Sequence, residues 1–403
     1  MIKRIASAVI GSAFGDEGKG LMTDFLAAQA GDRAVVVRFN GGAQAGHTVQ
    51  TSQGTRHVFH QFGAGAFAGA STHLSRFFVA NPILFRQERA ALRALGANTD
   101  ISISAEALVS TPWDMFANTE IETFRGAGRR GSCGLGIGET VSRQERTPWG
   151  LKVKDLRSPT LSRQLRDIRD QWLPQRMAAV GHQPKGETHA AIQSEELFER
   201  FLEDLTNFTE QVVVAEIAQA TAAQDVIFEG AQGLLLDQKA GAPWYPHVTR
   251  SNTGLSNVLE LACEGGLHAV EVYYMARPYL TRHGAGPLPF EYREKPHAGI
   301  VDETNIPNAW QGSLRYAPLN LDLLESSIKC DLRAGDANAG IAVSPRLGMS
   351  CADQVEGLLD VVVGDQVVKM SLDEVLQRAS LSACAAETWI SSGPSRETLK
   401  RCA

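Results

Sequence analysis

The residues best suited to chemistry lie in a glycine-rich loop near the N-terminus. Residues 11–20 read GSAFGDEGKG; the apolar residues 5–10 before them predict a buried strand, and a helix pattern follows. Strand, glycine-rich turn and helix form a phosphate-binding arrangement, because backbone N–H groups and the positive end of the helix face the anion. Lys19 adds a mobile positive charge to this predicted site.

This loop departs from an ordinary P-loop. That pattern requires glycine where this chain has Ala13 and a hydroxyl residue where it has Gly20, so no hydroxyl follows Lys19 to bind magnesium. Asp16 lies inside the loop instead, where its charge repels phosphate unless it holds a metal ion or a proton. The sequence therefore predicts a phosphate site that contains a carboxylate.

A second glycine-rich loop carries a histidine. Residues 39–48 read FNGGAQAGHT and follow a predicted strand at 33–39. The small neighbours of His47 let a ligand approach the backbone, so we predict that His47 is a donor or cation for a phosphoryl group. A structural histidine that caps a turn is the alternative.

A third loop combines glycines with basic residues. Residues 125–140 contain Arg129, Arg130 and Ser132 among several glycines. This combination suits a second anion, such as the 5′-phosphate of a nucleotide. The alternative is a flexible surface loop.

Strands and helices alternate along the chain. Predicted strands at 33–39, 75–82 and 99–103, with a helix at 86–95 between the last two, are typical of a mainly parallel sheet. We predict an α/β fold with a large central mainly parallel sheet, helices on both faces and helical insertions, as a P-loop-like variant. Residues 1–403 are expected to form one catalytic unit, with a mostly helical insertion at about 157–222.

Composition restricts the class of protein. A hydrophobic content of 43% and a net charge of −6 favour a globular protein without a nucleic-acid surface, and no apolar stretch approaches the ~18 residues of a membrane helix. Six scattered cysteines lack a C-x-x-C pair, which favours free thiols over a zinc site or disulfides. The N-terminus enters the first strand directly, so we expect no signal peptide and a cytoplasmic location.

Four motifs resemble the adenylosuccinate synthetase family. They are GDEGKG at 15–20, GGAQAGHT at 41–48, FEGAQG at 228–233 and TRHGAGP at 281–287. The resemblance implies a ligase that couples nucleoside-triphosphate hydrolysis to the joining of L-aspartate to C6 of a 6-oxopurine nucleotide. The reaction passes through a 6-phosphoryl intermediate and converts IMP to adenylosuccinate. A homodimer is also implied.

The resemblance implies catalytic roles for single residues. Asp16 takes the N1 proton of the purine, so that O6 attacks the γ-phosphate. Lys19 and His47 stabilise the charge that develops, and Mg²⁺ lies near Asp16 and the Gly46 carbonyl.

The resemblance also implies binding residues for the nucleotide. An amide offers a donor and an acceptor to a purine edge, and a threonine hydroxyl suits a phosphate oxygen, which are the roles implied for Gln232 and Thr249. The other nucleotide or phosphate ligands implied are Gly15, Glu17, Gly18, Gly20, Gln44, Ala45, Thr48, Ser132, Cys133 and Gly284.

The segment that binds aspartate in the family differs in this chain. Residues 310–320 (WQGSLRYAPLN) retain one arginine of that pattern, Arg315, and one guanidinium can hold one carboxylate bidentately. The family's arginine that reaches the neighbouring subunit is also replaced. Arg143 or Arg146 is the expected substitute.

The base pocket for the triphosphate differs as well. The family selects guanine with K-x-D after a strand, and the strand predicted at 340–344 leads into Pro345 without such an aspartate. We therefore expect weak selection between GTP and ATP. The residues expected to form the base pocket, from an S-x-GP-x-R outline, are Ser392, Gly393 and Pro394. The carboxylates that could replace the missing aspartate are Asp331, Asp336 and Asp353.

Two other functions remain open. The same chemistry on dGMP or GMP gives a 2-aminoadenylosuccinate nucleotide, and the altered positions Gln44, Cys133 and Arg315 favour considering it. A non-catalytic regulator that binds purine nucleotides is the alternative of another class. The intact Asp16 and Lys19 argue against a regulator.

Overall fold

The computed structural model describes residues 3–222, 224–305, 312–336 and 340–402. Residues 310 and 311, which begin the segment predicted to bind aspartate, lie outside the described residues, as does the side chain of Asp336.

Short strands and helices follow one another along the whole described chain. The strands are β1 (Ile5–Gly11), β2 (Ala34–Arg38), β3 (His47–Gln50), β4 (Arg56–Phe59), β5 (Ser71–Leu74), β6 (Val79–Ala80), β7 (Ile101–Ile103), β8 (Leu108–Val109), β9 (Val213–Val214), β10 (Asp225–Gly233), β11 (Ala269–Ala276), β12 (Tyr279–Arg282), β13 (Arg315–Asn320), β14 (Ala342–Met349), β15 (Leu359–Val363), β16 (Gln366–Met370), β17 (Thr388–Ser391) and β18 (Leu399–Arg401). The helices are α1 (Lys19–Ala30), α2 (Pro82–Ala94), α3 (Pro112–Arg125), α4 (Ile137–Arg146), α5 (Leu161–Asp167), α6 (Leu173–Ala179), α7 (Gly186–Ile192), α8 (Glu195–Gln211), α9 (Ile217–Ala220), α10 (Leu255–Glu264), α11 (Leu321–Asp336) and α12 (Leu372–Ser382). In the described ranges, no helix is both long enough and apolar enough to cross a membrane.

Ten strands of the described chain form one sheet. Their order is β18-β17-β14-β11-β1-β10-β2-β5-β7-β9. Neighbours are parallel except β17 and β18, which are antiparallel. The central strands are apolar and largely buried, as expected for parallel strands covered by helices. The predicted α/β class with a large, mainly parallel sheet is confirmed.

Helix α1 holds the first loop against the sheet. It begins at Lys19, directly after Gly18, whose φ of 85° suits glycine. The buried side chains that pack between this helix and the sheet include Met22, Leu26, Ala27, Val9, Val36 and Met275. The loop between β1 and α1 is therefore fixed at both ends.

A smaller sheet positions the TRHGAGP motif. Within the described residues it has four strands, in the order β12-β13-β15-β16. Strands β12 and β13 are antiparallel, and Arg282 lies opposite Arg315. The motif is therefore next to the segment that was predicted to bind aspartate.

The region from 157 to 222 contains helices α5 to α9 and the short strand β9. Its apolar side chains belong to a second core that also contains Trp113 of α3. Phe198 and Phe201 of α8 each lie 5.9 Å from the Trp113 ring, measured between ring centroids. These helices thus pack against α3, which leads into the third glycine-rich loop.

Two predicted strands have different bounds. The strand expected at 75–82 is reduced to β6 (Val79–Ala80), because β5 ends at Leu74 and the Phe78 N–H donates to the Ser75 carbonyl (3.0 Å) in a turn before β6. The strand expected at 340–344 instead continues to Met349, paired with β11 along its length. The carboxyl end of that strand is therefore followed by residues 350–353.

Candidate active site

The carboxyl ends of the central strands meet at one edge of the main sheet. The loops that follow β1, β2, β10, β11 and β14 surround a cleft with a cavity volume of about 1630 Å³. Ligands of open parallel sheets bind at this edge. The predicted site residues that line the cleft are Gly15, Asp16, Glu17, Gly18, Lys19, Gly20, Gln44, Ala45, Gly46, His47, Thr48, Ser132, Cys133, Gln232, Thr249, Gly393 and Pro394. Gly284, Arg315 and Ser392 are not among the lining residues.

Asp16 and Glu17 have different surroundings. Asp16 has a φ of 58°, follows Gly15 at 97°, and lines the cleft with a half-buried side chain. Aspartate is one of the few non-glycine residues that tolerates this left-handed backbone. Glu17 is buried and accepts hydrogen bonds from the backbone of Ala13 (2.7 Å) and Gly15 (3.2 Å).

The Glu17 carboxylate organises its own loop. The Ser12 hydroxyl also donates to it, at 3.2 Å. Burial raises the pKa of Glu17 to about 7, although Lys19 and these donors oppose the shift. At position 11 a Cβ would clash with Glu17 Oε2 and lie 2.6 Å from the Gln232 carbonyl, so only glycine fits there. Glu17 therefore holds together the loop that was predicted to bind phosphate.

Lys19 is a buried cation among acidic groups. Burial lowers its pKa, and the nearby Glu17, Asp16 and Glu229 oppose that effect. A Cβ at Gly11 would lie 3.1 Å from Nζ, which places the ammonium beside the end of β1. Its charge is thus directed into the same part of the cleft as Asp16.

Glu229 orients His47. The Nδ1 atom of His47 is 2.7 Å from Glu229 Oε1, and the other carboxylate oxygen accepts from the Ala64 N–H (3.1 Å). Among the described residues, Nε2 of His47 is buried and has no hydrogen-bond partner. Burial lowers the pKa of His47 while Glu229 opposes the shift, so the ring is neutral with Nδ1–H donating to an ionised Glu229.

Two amide side chains face the cleft from neighbouring loops. Gln232 has a φ of 65°, and its Oε1 is buried without a partner among the described residues; the same is true of Gln44 Oε1. Thr249 lines the cleft and its N–H donates to the Leu236 carbonyl (2.8 Å). Buried polar atoms are normally hydrogen-bonded, so these amides are arranged for a ligand.

The third glycine-rich loop binds an internal carboxylate. Glu122 of α3 is buried, and its Oε2 accepts from the N–H groups of Arg130 (2.9 Å), Gly131 (3.0 Å) and Ser132 (3.4 Å). Successive N–H groups of this kind form an anion-binding nest. The Ser132 hydroxyl donates to Asn118 (2.6 Å), and burial raises the pKa of Cys133. The backbone N–H groups of this loop are thus bonded to a carboxylate of the chain itself, while the side chains of Arg130 and Ser132 line the cleft.

Arg282 joins three loops around the cleft. Its guanidinium lies 4.6 Å from the Phe14 ring and 6.0 Å from the Trp244 ring. Its N–H groups donate to the carbonyls of Pro287 (2.8 Å) and His247 (2.9 Å). The loop after β1 is thereby linked to the loop after β10 and to the TRHGAGP motif.

Comparison with known proteins identifies the family. The family model described as adenylosuccinate synthetase matches residues 8–306, well over half of the chain. The chain belongs to the adenylosuccinate synthetase family. The family resemblance predicted from the four motifs is confirmed.

Curated relatives in the adenylosuccinate synthetase family agree. The adenylosuccinate synthetase of Tropheryma whipplei (strain Twist) is 31% identical over 306 residues, which cover 72% of this chain and 66% of that protein. The enzyme of Anaeromyxobacter sp. (strain Fw109-5) is 33% identical over 300 residues, 71% of this chain and 65% of that protein. The matched part of the chain therefore spans just under two thirds of the length of these relatives.

Two solved structures share the fold. Fully ligated adenylosuccinate synthetase from Plasmodium falciparum has a TM-score of 0.73 at 18% identity, over 99% of this chain and 100% of that chain. Cyanophage S-2L succinoaminodeoxyadenylate synthetase, bound to dGMP and dATP as an energy donor, has a TM-score of 0.62 at 16% identity, over 100% and 96% of the two chains. At these identities the likeness concerns the fold alone.

Two arginines predicted from the adenylosuccinate synthetase pattern lie elsewhere. Arg315 makes a bidentate ion pair with Glu291, and its Nη1 donates to the Gly284 and Gly286 carbonyls (3.0 and 2.8 Å). Arg143 is fully buried and paired with Asp114, whereas Arg146 lines the cleft of its own subunit. The structure therefore removes Arg143 as a substitute that reaches a neighbouring subunit.

The donor side of the cleft contains a carboxylate. After Met349, the last residue of β14, Ser350, Cys351 and Asp353 line the cleft. The strand was predicted to end too early; no K-x-D follows its actual end, but Asp353, one of the carboxylates predicted as a replacement, lies four residues after Met349. Asp331 accepts instead from the Leu255 N–H (2.8 Å) and the Tyr274 hydroxyl (2.8 Å), and it does not line the cleft.

Three cleft or loop residues were missed by sequence reasoning. Arg277, directly after β11, and Asp302 line the cleft, whereas Glu122 fills the nest described above. The position of Arg277 at the end of an apolar strand was a signal that could have identified it. Asp302 and Glu122 lie in no glycine-rich motif, so the sequence offered no comparable signal.

The cleft can bind a magnesium ion if substrate phosphates supply some of its oxygen ligands. In the described part of the chain, no group of three or more His, Cys, Asp or Glu side chains could hold a metal ion. Mg²⁺ is commonly bound by one or two carboxylates together with substrate phosphates and water. The half-buried Asp16 carboxylate and the nearby Gly46 backbone meet that description.

Proposed function

We propose that this chain is a ligase that uses a nucleoside triphosphate to join L-aspartate to C6 of a 6-oxopurine nucleotide, with IMP as acceptor and adenylosuccinate as product. One observation carries the proposal: Asp16, Lys19 and the Glu229-held His47 converge on one cleft at the carboxyl edge of the sheet. A carboxylate, a cation and an oriented imidazole are the groups needed to activate an oxygen and transfer a phosphoryl group to it.

The first step forms the 6-phosphoryl nucleotide. The Asp16 carboxylate takes the N1 proton, the electron pair passes to O6, and O6 bonds to the γ-phosphorus while the bond to the nucleoside diphosphate breaks. Lys19 stabilises the charge on the transferring oxygens. The phosphoryl group favours a protonated His47, whose Nε2–H then donates to it while Nδ1–H stays on Glu229.

In the second step the aspartate amine attacks C6 of the purine. The C6–N bond forms, the C6–O6 bond breaks, and phosphate leaves with both electrons of that bond. The amine loses one proton to the departing phosphate, and the proton that Asp16 took from N1 in the first step is released to solvent before the next turnover. Mg²⁺, held by Asp16 and the Gly46 carbonyl, would neutralise phosphoryl charge when bound.

A second acceptor is proposed alongside IMP. One solved structure with this fold, the cyanophage enzyme, is bound to dGMP. Gln44 and Cys133 line the cleft at positions where this chain departs from the family motifs. These observations support testing a 2-amino-6-oxopurine nucleotide as the acceptor.

The donor is proposed to be recognised by Asp353. A carboxylate that accepts from N1–H and N2–H distinguishes guanine from adenine. Asp353 and the Gly393–Pro394 turn line the same cleft, which supports a base pocket between β14 and β17. Weak selection between GTP and ATP stays the alternative prediction.

Phosphate release tests the proposed function. IMP, GMP and dGMP are each assayed with L-aspartate against GTP, ATP and dATP, and the nucleotide product is identified by its mass. We expect aspartate-dependent phosphate release with at least one acceptor. Tight binding of nucleotides without any turnover would instead support the regulator. The homodimer, the cytoplasmic location and the single catalytic unit stay predictions.

A further inference from the structure

The cleft needs a cation for the carboxylates of its amine substrate. Arg315, the residue first predicted for this role, has its guanidinium occupied by Glu291 and by two backbone carbonyls outside the cleft. A guanidinium with these partners has no free edge for a second carboxylate. Another positive group must therefore serve the amine substrate if it is L-aspartate.

Arg277 is a cleft arginine without an acidic ion-pair partner among the described residues. It follows β11 directly and lines the cavity. Its Nη1 donates to the Tyr279 hydroxyl at 3.4 Å. Its Nε is buried and has no hydrogen-bond partner among the residues that the structure describes. A buried guanidinium N–H without an acceptor is uncommon in folded proteins. The group is thus arranged for a ligand that brings acceptor oxygens.

The surroundings keep Arg277 charged. Burial opposes the charge, but the neighbouring Cys351, Tyr279, Asp16 and Asp302 outweigh it, so the pKa of Arg277 lies above its ordinary value. The guanidinium is therefore near Asp16, which is proposed to act at N1 of the purine. A carboxylate held at Arg277 would share the cleft with the Asp16 side chain.

The segment 301–305 lines the cleft near Arg277 and is hydrogen-bonded to its neighbours. Residues 301–305 line the cleft, and Thr304 Oγ1 is 2.7 Å from both Thr48 Oγ1 and Arg56 Nη2. On the other side, the Tyr279 hydroxyl donates to Gln354 (2.6 Å), whose amide donates to the Val301 carbonyl (3.3 Å). Tyr279, the hydrogen-bond partner of Arg277, is therefore linked through Gln354 to the segment 301–305.

The phosphates of the nucleotides have other candidate partners. The glycine-rich loop and the loop with His47 follow β1 and β2, whereas Arg277 follows β11, which pairs with β1 on the side away from β2. From this placement, and from the buried N–H that lacks an acceptor among the described residues, we infer that Arg277 binds a carboxylate of the amine substrate, L-aspartate. This inference rests on the proposed function, because it names the contact of that same site with its third substrate.

Binding measurements test the inference without turnover. L-Aspartate is titrated calorimetrically into the protein saturated with IMP and a β,γ-methylene analogue of GTP. Loss of a charged hydrogen-bonding partner predicts that Arg277→Met weakens aspartate binding by roughly thirtyfold, whereas Arg277→Lys, which keeps the charge, weakens it less. The affinity for IMP should change by less than about threefold, because IMP makes no contact with Arg277 in this proposal. Arg315→Met is the matched control. It should change the affinity for L-aspartate by less than about threefold.

A partial reaction separates the two steps. Formation of the 6-phosphoryl nucleotide from IMP and GTP without aspartate is followed by positional isotope exchange in GTP. Arg277→Met should still exchange, because the amine takes no part in this step. Loss of exchange, or weaker binding of IMP or of the GTP analogue equal to that of aspartate, would overturn the inference and assign Arg277 to the phosphates.

The remaining outcomes distinguish this inference from the proposed function. If the wild-type protein binds no L-aspartate, or if Arg315→Met weakens that binding and Arg277→Met does not, the inference is overturned. If aspartate binding depends on Arg277 but no acceptor is converted, the inference stands and the proposed function fails.

Discussion

At the scale of single residues, adjacent carboxylates of one loop have separate tasks. Glu17 is buried and bonded to the backbone N–H groups of its own loop, whereas Asp16 lines the cleft. Asp16 also adopts a left-handed backbone, with a φ of 58°. Glu17 therefore stabilises the loop, whereas Asp16 is the candidate base.

The base is tested by Asp16→Asn. Asparagine tolerates the left-handed backbone, so the fold and the melting temperature should change little. Without a proton acceptor, turnover should fall by two orders of magnitude or more, about 3 kcal/mol of barrier. Steady-state kinetics and a thermal melt check both points. Turnover within a few-fold of the parent would mean that Asp16 is not the base.

The second residue-scale prediction concerns Glu229→Gln. The parent carboxylate orients His47 and favours the protonated form of its ring. Because glutamine removes that negative charge, kcat should fall by roughly two orders of magnitude. If protonated His47 is the active form, the alkaline limb of the kcat profile should move to lower pH. Glu106→Gln, at an exposed carboxylate paired with Lys152 and Lys154, is the control. An unchanged profile would leave His47 without the proposed role.

At the scale of elements, the end of β14 decides which residues reach the donor base. Pro345 lies inside this strand, opposite Val272, and its carbonyl accepts from the Ala386 N–H (2.9 Å). Proline inside a run usually argues against a central strand because it lacks an N–H. The sequence pattern therefore ended the strand before Pro345, and Asp353 was not assigned to the strand end.

Asp353→Asn tests the donor pocket. An amide in place of the carboxylate offers an acceptor with less charge, so kcat/KM for GTP should fall at least tenfold, about 1.4 kcal/mol. The value for ATP should change little. Competition kinetics with both triphosphates measures the ratio. Asp360→Asn, which alters a strand carboxylate paired with Lys369, serves as the control. An unchanged ratio would mean that the base is recognised elsewhere.

The loops of the cleft were predictable because their signals are local. A buried strand, a glycine-rich turn and a helix follow one another within residues 5–30, and a predicted strand followed by a glycine-rich loop likewise identified the loop with His47. The ion pair between Arg315 and Glu291, and the place of Asp302 beside Arg277, depend on contacts between distant segments. One sequence contains no pattern from which such pairings can be read.

At the scale of the whole molecule, buried ionisable groups make stability depend on pH. His73 of β5 is buried, and burial lowers its pKa to about 4 from an ordinary value of 6.5. Its neutral form is the stable one in the fold, so the unfolded chain binds more protons between these values and stability falls as the pH drops below 6.5. Burial raises the pKa of Glu17 and Asp331 to about 7. The folded chain therefore binds more protons at these two groups, and their contribution to stability falls as the pH rises toward 7.

His73→Gln isolates one of these contributions. Glutamine can still bond to Ser102, which lies 2.9 Å from His73 Nδ1 in the parent. Between pH 6.5 and 5 the parent should lose about 2 kcal/mol of unfolding free energy that the variant does not lose. Denaturant unfolding at several pH values measures the difference. Equal pH dependence in both proteins would show that His73 does not control the acid response.

The two edges of the main sheet bear on how copies of this chain could associate. In the described residues, one edge strand, β9, has two residues and the other, β18, has three. Long exposed edges invite another chain to add a strand, and short ones offer too few backbone groups to do so. A dimer of this chain should therefore not be joined by a main sheet that continues across the two copies.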